Sequence, residues 1–311
     1  MTLIWCSDWG SETRVGFRAA LAWVMLVLGV VACVAVASAA YLLAGYAWNQ
    51  LVEYQSPYVR RSDVATATSA AVWIPAELRP VYRASSPVMA ERVVLVIIDG
   101  LREDASRSEM KTLNLLRSYG ADVTLTVPQP SLSYPNWTTI LTGAPQEISG
   151  VTTNWFKGRA PAPTVMDIAE AGGRRVGIVG PEDFATIFGV RRGPMVSLRP
   201  WPKGGYLSAT LVDDALRIAK ASDPHLMVLH LPDLDEAGHE HGGSSDEYTR
   251  IARRIDQDLG RLVGGLEDRD TAFVVVADHG HVDAGGHGGW EKEATVVPGV
   301  LAGAGIALWT G

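Results

Sequence analysis

Hydrophobic and polar positions follow two very different patterns along this chain. From Ala19 to Trp48 no residue is charged, and the apolar density is highest between Leu21 and Leu43. A helix of about 30 residues spans about 45 Å, more than the roughly 30 Å of bilayer hydrocarbon. Tyr46 and Trp48 lie where interfacial aromatics sit. Ala37-Ser38-Ala39 has the small-residue character of a signal-peptide cleavage site. The apolar run, however, exceeds the roughly 7–15 residues of such a peptide and continues through Tyr41, Leu42 and Leu43. The pattern predicts an uncleaved, single-pass anchor over 19–48, preceded by a tail of residues 1–18. Arg14 and Arg18 precede the span and Arg60 and Arg61 follow it; Arg18 abuts the apolar run. That places the N-terminus inside and the rest of the chain outside the cytoplasm. Residues 49–90 read as a linker, with Ser, Ala and Thr between Ala65 and Ala71 and scattered prolines.

From residue 91 the period changes. Val93 to Ile98 is a continuous run, mostly β-branched, that ends in Asp99-Gly100. A run apolar on both faces suits a buried parallel strand. Similar runs occupy 175–179, 226–231, 273–277 and 296–302, with helical patterns near 108–118, 136–143, 165–171, 208–221 and 245–266. Strands alternating with helices predict an α/β fold, a doubly wound and mostly parallel sheet, over 91–311. Three of the strands end in polar groups: Asp99, the segment Pro232 to Asp235, and Asp278-His279. Open α/β sheets bind ligands beyond the carboxyl ends of their strands, so these groups should meet on one edge.

Composition narrows the chemistry. With 47% hydrophobic and 20% charged residues, the 311-residue chain is globular rather than disordered or fibrous. A net charge of −7 argues against nucleic-acid binding. Cys6 and Cys33 are the only cysteines, which excludes a disulfide scaffold and a cysteine-ligated zinc site in the α/β region. All seven histidines fall between His225 and His287. Asp235 and His239 stand four apart and would share one side of a helical turn. Asp278-His279 is a strand-end pair, and His287 sits among Gly285, Gly286, Gly288 and Gly289. With Asp99 these supply three carboxylates and three imidazoles, enough for two divalent ions. Zn²⁺ accepts such donors and Mn²⁺ is compatible. His230, inside an apolar strand, reads as a packed core histidine, and His225 as a loop residue. His241 and His281 read as contacts to the ligands or the substrate. Ser133, before Tyr134-Pro135-Asn136, lies at a predicted helix N-terminus. It reads either as an N-cap or as a nucleophile activated by a neighbouring metal.

The order strand–Asp99, Ser133-Tyr134-Pro135-Asn136, Asp235-xx-Gly238-His239, Asp278-His279-Gly280 and His287 resembles the alkaline phosphatase superfamily. The resemblance is strongest to its type I phosphodiesterase/nucleotide pyrophosphatase branch, and covers about residues 91–305. It implies a bimetallic zinc centre. One ion would take Asp235, His239 and His287; the other would take Asp99, Asp278, His279 and the Ser133 oxygen. Asn136 matches the asparagine that holds a non-bridging phosphate oxygen. Sulfatases of the superfamily use a modified cysteine or serine in an arginine-bearing motif that is absent here. Only seven residues separate His279 from His287. This compact spacing is more like GPI ethanolamine phosphate transferases and membrane-bound bacterial relatives. Relatives continue beyond the last predicted strand, so C-terminal truncation is expected.

The implied activity is a metal-dependent phosphodiesterase-type hydrolase that uses Ser133 as nucleophile. The alternative is a membrane-bound transferase that moves a phosphoethanolamine-like head group to a lipid or glycan. The partner would be a phosphate ester, small or on a lipid head group. Trp137, Trp155 and Phe156 would pack either on its organic part or in the core.

Overall fold

The computed structural model describes residues 9–52, 90–202, 204–268 and 270–310. Most of the expected linker, and residues 1–8 of the expected tail, fall outside the described residues. The chain divides into two units, Met1–Leu51 and Val52–Gly311. The described residues of the first form one helix, α1 (Trp9–Val52 as a whole), longer than the span read from the sequence. Its segment Ala20–Trp48 is long and apolar enough to cross a membrane, and every side chain along it is exposed.

The second unit is a mixed α/β sheet with helices on both faces. In chain order its elements are β1 (Arg92–Ile98), α2 (Glu103–Glu109), α3 (Lys111–Tyr119), β2 (Ala121–Thr126), α4 (Ser133–Thr142), α5 (Gln146–Ser149) and α6 (Val165–Ala171). Then come β3 (Val176–Pro181), α7 (Asp183–Ile187), β4 (Val196–Arg199), α8 (Ser208–Ser222), β5 (Leu226–Leu231) and α9 (Asp233–His241). The remainder are α10 (Asp246–Leu266), β6 (Thr271–Val276), α11 (Lys292–Thr295), β7 (Val296–Gly303) and β8 (Trp309–Thr310). The strand order is β4-β3-β5-β1-β6-β7-β2-β8, with β7 antiparallel to both β6 and β2 and the other pairs parallel.

Alternation along the strands sorts the core into two layers. Val94, Val96 and Ile98 face a cluster with Met227, Leu229 and Leu231 under α3, α8 and α10. Leu95 and Ile97 face the other side, with Val228 of β5 and residues of α4, α6 and α7. Helix α10 buries Tyr248, Ile251, Ala252, Ile255, Leu259, Leu262 and Leu266, the three- and four-residue spacing of one apolar stripe. Ser245 caps it by accepting from Tyr248 N.

The five apolar runs appear as β1, β3, β5, β6 and β7 within two residues of the expected bounds. The single helix expected at 108–118 is two helices, broken at the buried Met110, whose backbone is extended (φ −105°, ψ 91°). Met110 offers no side-chain cap. The Asp256 carboxylate of α10 instead accepts from Thr112 N (2.8 Å) and Leu113 N (3.0 Å), satisfying the orphan donors of α3. Strands β2 and β4 were not legible, because ADVTLT and VSLR are short and only partly buried. Edge strand β4 is tied to α8 through Asp214, which accepts from Ser197 Oγ (2.7 Å) and Arg199 Nη2 (2.7 Å).

Two consequences can be measured on the detergent-solubilised chain. Leu229→Ala, in the centre of the sheet, should cost about 2–5 kcal/mol of unfolding free energy. Leu115→Ala, exposed on α3, should stay within about 0.5 kcal/mol. Partial burial pushes the Asp214 carboxyl up, but hydrogen bonds from Arg217, Arg199 and Ser197 outweigh it and hold it down at about 2. A depressed carboxyl contributes stability above its unfolded value, near 3.8, and loses it as pH falls through about 2. The stability gap between wild type and Asp214→Asn should therefore be open at neutral pH and close below pH 2.

Candidate metal centre

Strands β5, β1 and β6 are neighbours in the sheet, so their carboxyl ends meet. Asp99 follows β1, Asp278 and His279 follow β6, and Asp235 lies on the first turn of α9, just past β5. The Asp99-Gly100 turn is held by Tyr248, whose hydroxyl donates to Gly100 O (2.6 Å) and accepts from Arg102 N (3.1 Å). Gly100 has φ +76°, and a Cβ there would stand 2.9 Å from the Asp235 Cα, so this position requires glycine. Gly238 is needed for a different reason: its Cβ would lie 2.5 Å from the His281 ring.

The expected ligands converge. His279 Nε2 lies 3.2 Å from Asp99 Oδ1, 3.6 Å from Asp278 Oδ2 and 3.9 Å from Asp235 Oδ1. Ser133 Oγ is 3.2 Å from the same nitrogen. On the other side of Asp235, the Nε2 atoms of His239 and His287 each stand 3.5 Å from its Oδ1 and 3.0 Å from one another. Two groups of donor atoms each lie within 4.8 Å: Asp99, Asp278 and His279, and Asp235, His279, His281 and His287. Asp99, Asp278 and His279 are fully buried, whereas the His239 side chain is 50% exposed.

The hydrogen bonds fix which nitrogens are bare. His287 Nδ1 donates to Ser131 O (2.7 Å) and His279 Nδ1 to Gly280 O (3.1 Å), so each Nε2 presents a lone pair to the site. A bare imidazole nitrogen facing carboxylate oxygens at 3.2–3.9 Å is repulsive unless a cation lies between them. The donor set therefore fits divalent metal. In the ion-free protein a proton takes the cation's place. Burial alone would push the His279 imidazole down, but Asp278, Asp99 and Asp235 outweigh it and push it up to about 10. Burial and the nearby Asp99 push Asp278 well above the usual carboxylate range. Burial works the same way on Asp99, but the hydrogen bonds with His230 and His279 prevail and hold it far below that range. Burial, reinforced by the charge on His279, pushes His287 down to about 3, which keeps it neutral.

Helix α4 resolves the role of Ser133 only in part. The N-cap is Leu132, with no side-chain cap, and Ser133 is the first helical residue. The hydroxyl is not spent on capping and instead faces His279. Asn136 is buried one turn on; its Oδ1 accepts from Gln146 Nε2 (3.4 Å) and its Nδ2 has no partner among the described residues. Ser131 ties this loop to the glycine-rich one: its Oγ donates to Gly289 O (3.0 Å) and accepts from Gly288 N (2.9 Å).

Three neighbours brace the carboxylates: the contact of His281 with a ligand was expected from the sequence, those of Trp137 and His230 were not. Trp137 is a core residue rather than a substrate contact, and its indole N–H donates to Asp278 Oδ2 (2.7 Å). His281 accepts from Gly286 N at Nδ1 (3.2 Å), so its Nε2–H donates to Asp235 Oδ1 (2.8 Å) and orients that carboxylate. His230 packs in the core as expected, yet its Nε2 also lies 2.8 Å from Asp99 Oδ2. His241, beside Glu240, and His225, bonded to Arg175 N, stand apart from the donor clusters. Trp155 is exposed and Phe156 packs on the core.

The family model described as type I phosphodiesterase / nucleotide pyrophosphatase matches residues 93–170 and 196–291. Among curated proteins, GPI ethanolamine phosphate transferase 1 of Emericella nidulans is 28% identical over 266 residues, covering 71% of this chain and 28% of that protein. Its Mus musculus counterpart is 24% identical over 251 residues, covering 71% and 27%. The chain thus spans under a third of the length of these relatives. Among solved structures, murine ectonucleotide pyrophosphatase/phosphodiesterase 5, in complex with AMP, superposes with a TM-score of 0.52 at 20% identity, covering 61% of this chain and 57% of that one. A 2-O GAG sulfatase superposes with a TM-score of 0.55 at 14% identity, covering 70% and 65%. These structural likenesses establish an alkaline phosphatase-like fold.

Gly238→Ala would drive a Cβ into the His281 ring and so move Asp235. The expected result is a lowered content of bound divalent metal in the purified protein, measured by elemental analysis, with the far-ultraviolet circular dichroism of the sheet retained. Unchanged metal content would contradict the close-packing argument.

Proposed function

Because this chain belongs to the type I phosphodiesterase / nucleotide pyrophosphatase family, a family of phosphoester chemistry, we propose that it is a metal-dependent phosphodiesterase acting through Ser133. The observation that carries this reading is the Ser133 hydroxyl, not spent on capping and 3.2 Å from His279 Nε2 in a buried carboxylate cluster. Asp99, Asp278, His279 and the Ser133 oxygen would hold one divalent ion, and Asp235, His239 and His287 a second; zinc suits the donors and manganese is compatible. Such ions supply positive charge that favours the serine alkoxide and offsets charge on the leaving oxygen.

The chain's own residues would do the rest. Ser133 Oγ attacks phosphorus in line, the P–O bond to the leaving alcohol breaks, and a phosphoseryl group remains. Water then displaces phosphorus from Ser133 and releases the second product. The unpartnered Asn136 Nδ2 is suited to donate to a non-bridging oxygen, with the N-terminus of α4 adding its dipole. Tyr134 N is already taken by Asn154 Oδ1 (2.9 Å) and is not available to the substrate. A second reading, favoured by the names of the curated relatives, keeps the same first step and lets an acceptor alcohol replace water. The apolar helix fits either reading, with the site on the extracytoplasmic side of a membrane and a lipid head group as substrate.

Hydrolysis of bis-p-nitrophenyl phosphate and of p-nitrophenyl phosphate by the full chain in detergent tests the first reading. Diester turnover should exceed monoester turnover, and Ser133→Ala should lower it on the order of a thousandfold or more. Equal rates for the variant and wild type would sink the nucleophile. Chelation should abolish the activity and added zinc restore it. Turnover that appears only with a lipid or glycan alcohol present would move the assignment to the transferase.

A further inference from the structure

Resting on the two-metal reading above, we infer that His230 is a positioning residue: its imidazole N–H holds Asp99 Oδ2 so that Asp99 Oδ1 is the oxygen offered to the ion. The contact follows from strand register. In the parallel β1–β5 pair, His230 stands opposite Ile97. Both point to the sheet face that carries Val228 and Trp137, and Asp99 lies two residues beyond Ile97, on the same face. The His230 ring leans along the strand and its Nε2 comes within 2.8 Å of Asp99 Oδ2, with both residues fully buried.

The direction of the hydrogen bond is fixed by what surrounds the ring. Trp137, Phe184 and Trp201 pack around it, with ring centroids 4.7, 5.7 and 6.0 Å away. His230 Nδ1 is buried among them and has no hydrogen-bond partner among the described residues. A buried N–H without an acceptor is costly, and a carboxylate cannot donate, so the proton sits on Nε2 and Asp99 accepts. The other carboxylate oxygen, Asp99 Oδ1, is buried and faces His279 Nε2 at 3.2 Å. His279 Nδ1 is engaged with Gly280 O, so Nε2 is the nitrogen turned toward the ion. One oxygen is thus pinned from behind and the other left open toward a cation. Without His230, the Asp99 carboxylate would be free to rotate.

The test is zinc binding by the full chain in detergent, by competition with a chromogenic chelator, with elemental analysis for stoichiometry. His230→Phe keeps a ring among the three aromatics but lacks the N–H; His230→Gln places an amide N–H near the Nε2 position. Wild type should take two zinc ions. His230→Phe should bind one of them about 10–100-fold more weakly, the other unchanged, and His230→Gln should recover most of that loss. Far-ultraviolet circular dichroism of the metal-free proteins should show that both variants fold as the wild type does. Wild-type affinity at both sites in His230→Phe would overturn the inference and leave the two-metal reading standing. Equal weakening in both variants would make His230 a packing residue and overturn it too. A wild-type chain that takes up no zinc would overturn the inference together with the metal reading.

Discussion

Three carboxylates brought together away from water are the constraint on which the rest of this unit depends. Asp99, Asp235 and Asp278 sit at the carboxyl ends of three adjacent strands, each buried. Like charges in a low-dielectric setting repel strongly unless positive charge is supplied. The surrounding side chains respond to that problem. Trp137 donates to Asp278, His281 to Asp235, and Tyr248 braces the turn that carries Asp99. Even the pattern of glycines follows from it, since His281 reaches Asp235 only because Gly100 and Gly238 leave space for its ring.

Because the carboxylates come from the sheet, the geometry of the centre is inherited from strand pairing. Register between β1 and β5, and between β1 and β6, sets the height of each group to within one residue. A slip of one residue in either pair would turn Asp99 or its neighbours to the opposite face. The two apolar layers enforce that register from both sides, one under α3, α8 and α10, the other under α4, α6 and α7. Stability and site geometry are therefore coupled through the same aliphatic side chains.

Much of this was legible in the sequence, and the parts that were not share a cause. Strands apolar on both faces announce themselves, and acidic or histidine endings on three of them locate the working edge. The i,i+4 spacing of Asp235 and His239 anticipates their 3.5 Å approach on α9. The N-terminus of α4 was anticipated as well, but the cap falls on Leu132, which leaves the Ser133 hydroxyl unspent. The hydrogen bonds of His230, Trp137 and His281 depend on pairings between segments 46 to 141 residues apart, which no local pattern encodes. Strand β2 escaped notice because ADVTLT is only partly covered and resembles a solvated loop. The break at Met110 is likewise maintained by a distant residue, Asp256.

The two halves of the centre differ in how they are walled. Asp99, Asp278 and His279 are fully buried, while His239 is half exposed and His287 hangs from a loop clamped by Ser131 and by the Arg102–Asp283 pair (2.6 Å). Under the proposed assignment this asymmetry gives the two ions different access to the medium. An ion among Asp99, Asp278 and His279 would be walled off from water, and one held by His239 would exchange through the exposed side of that ring.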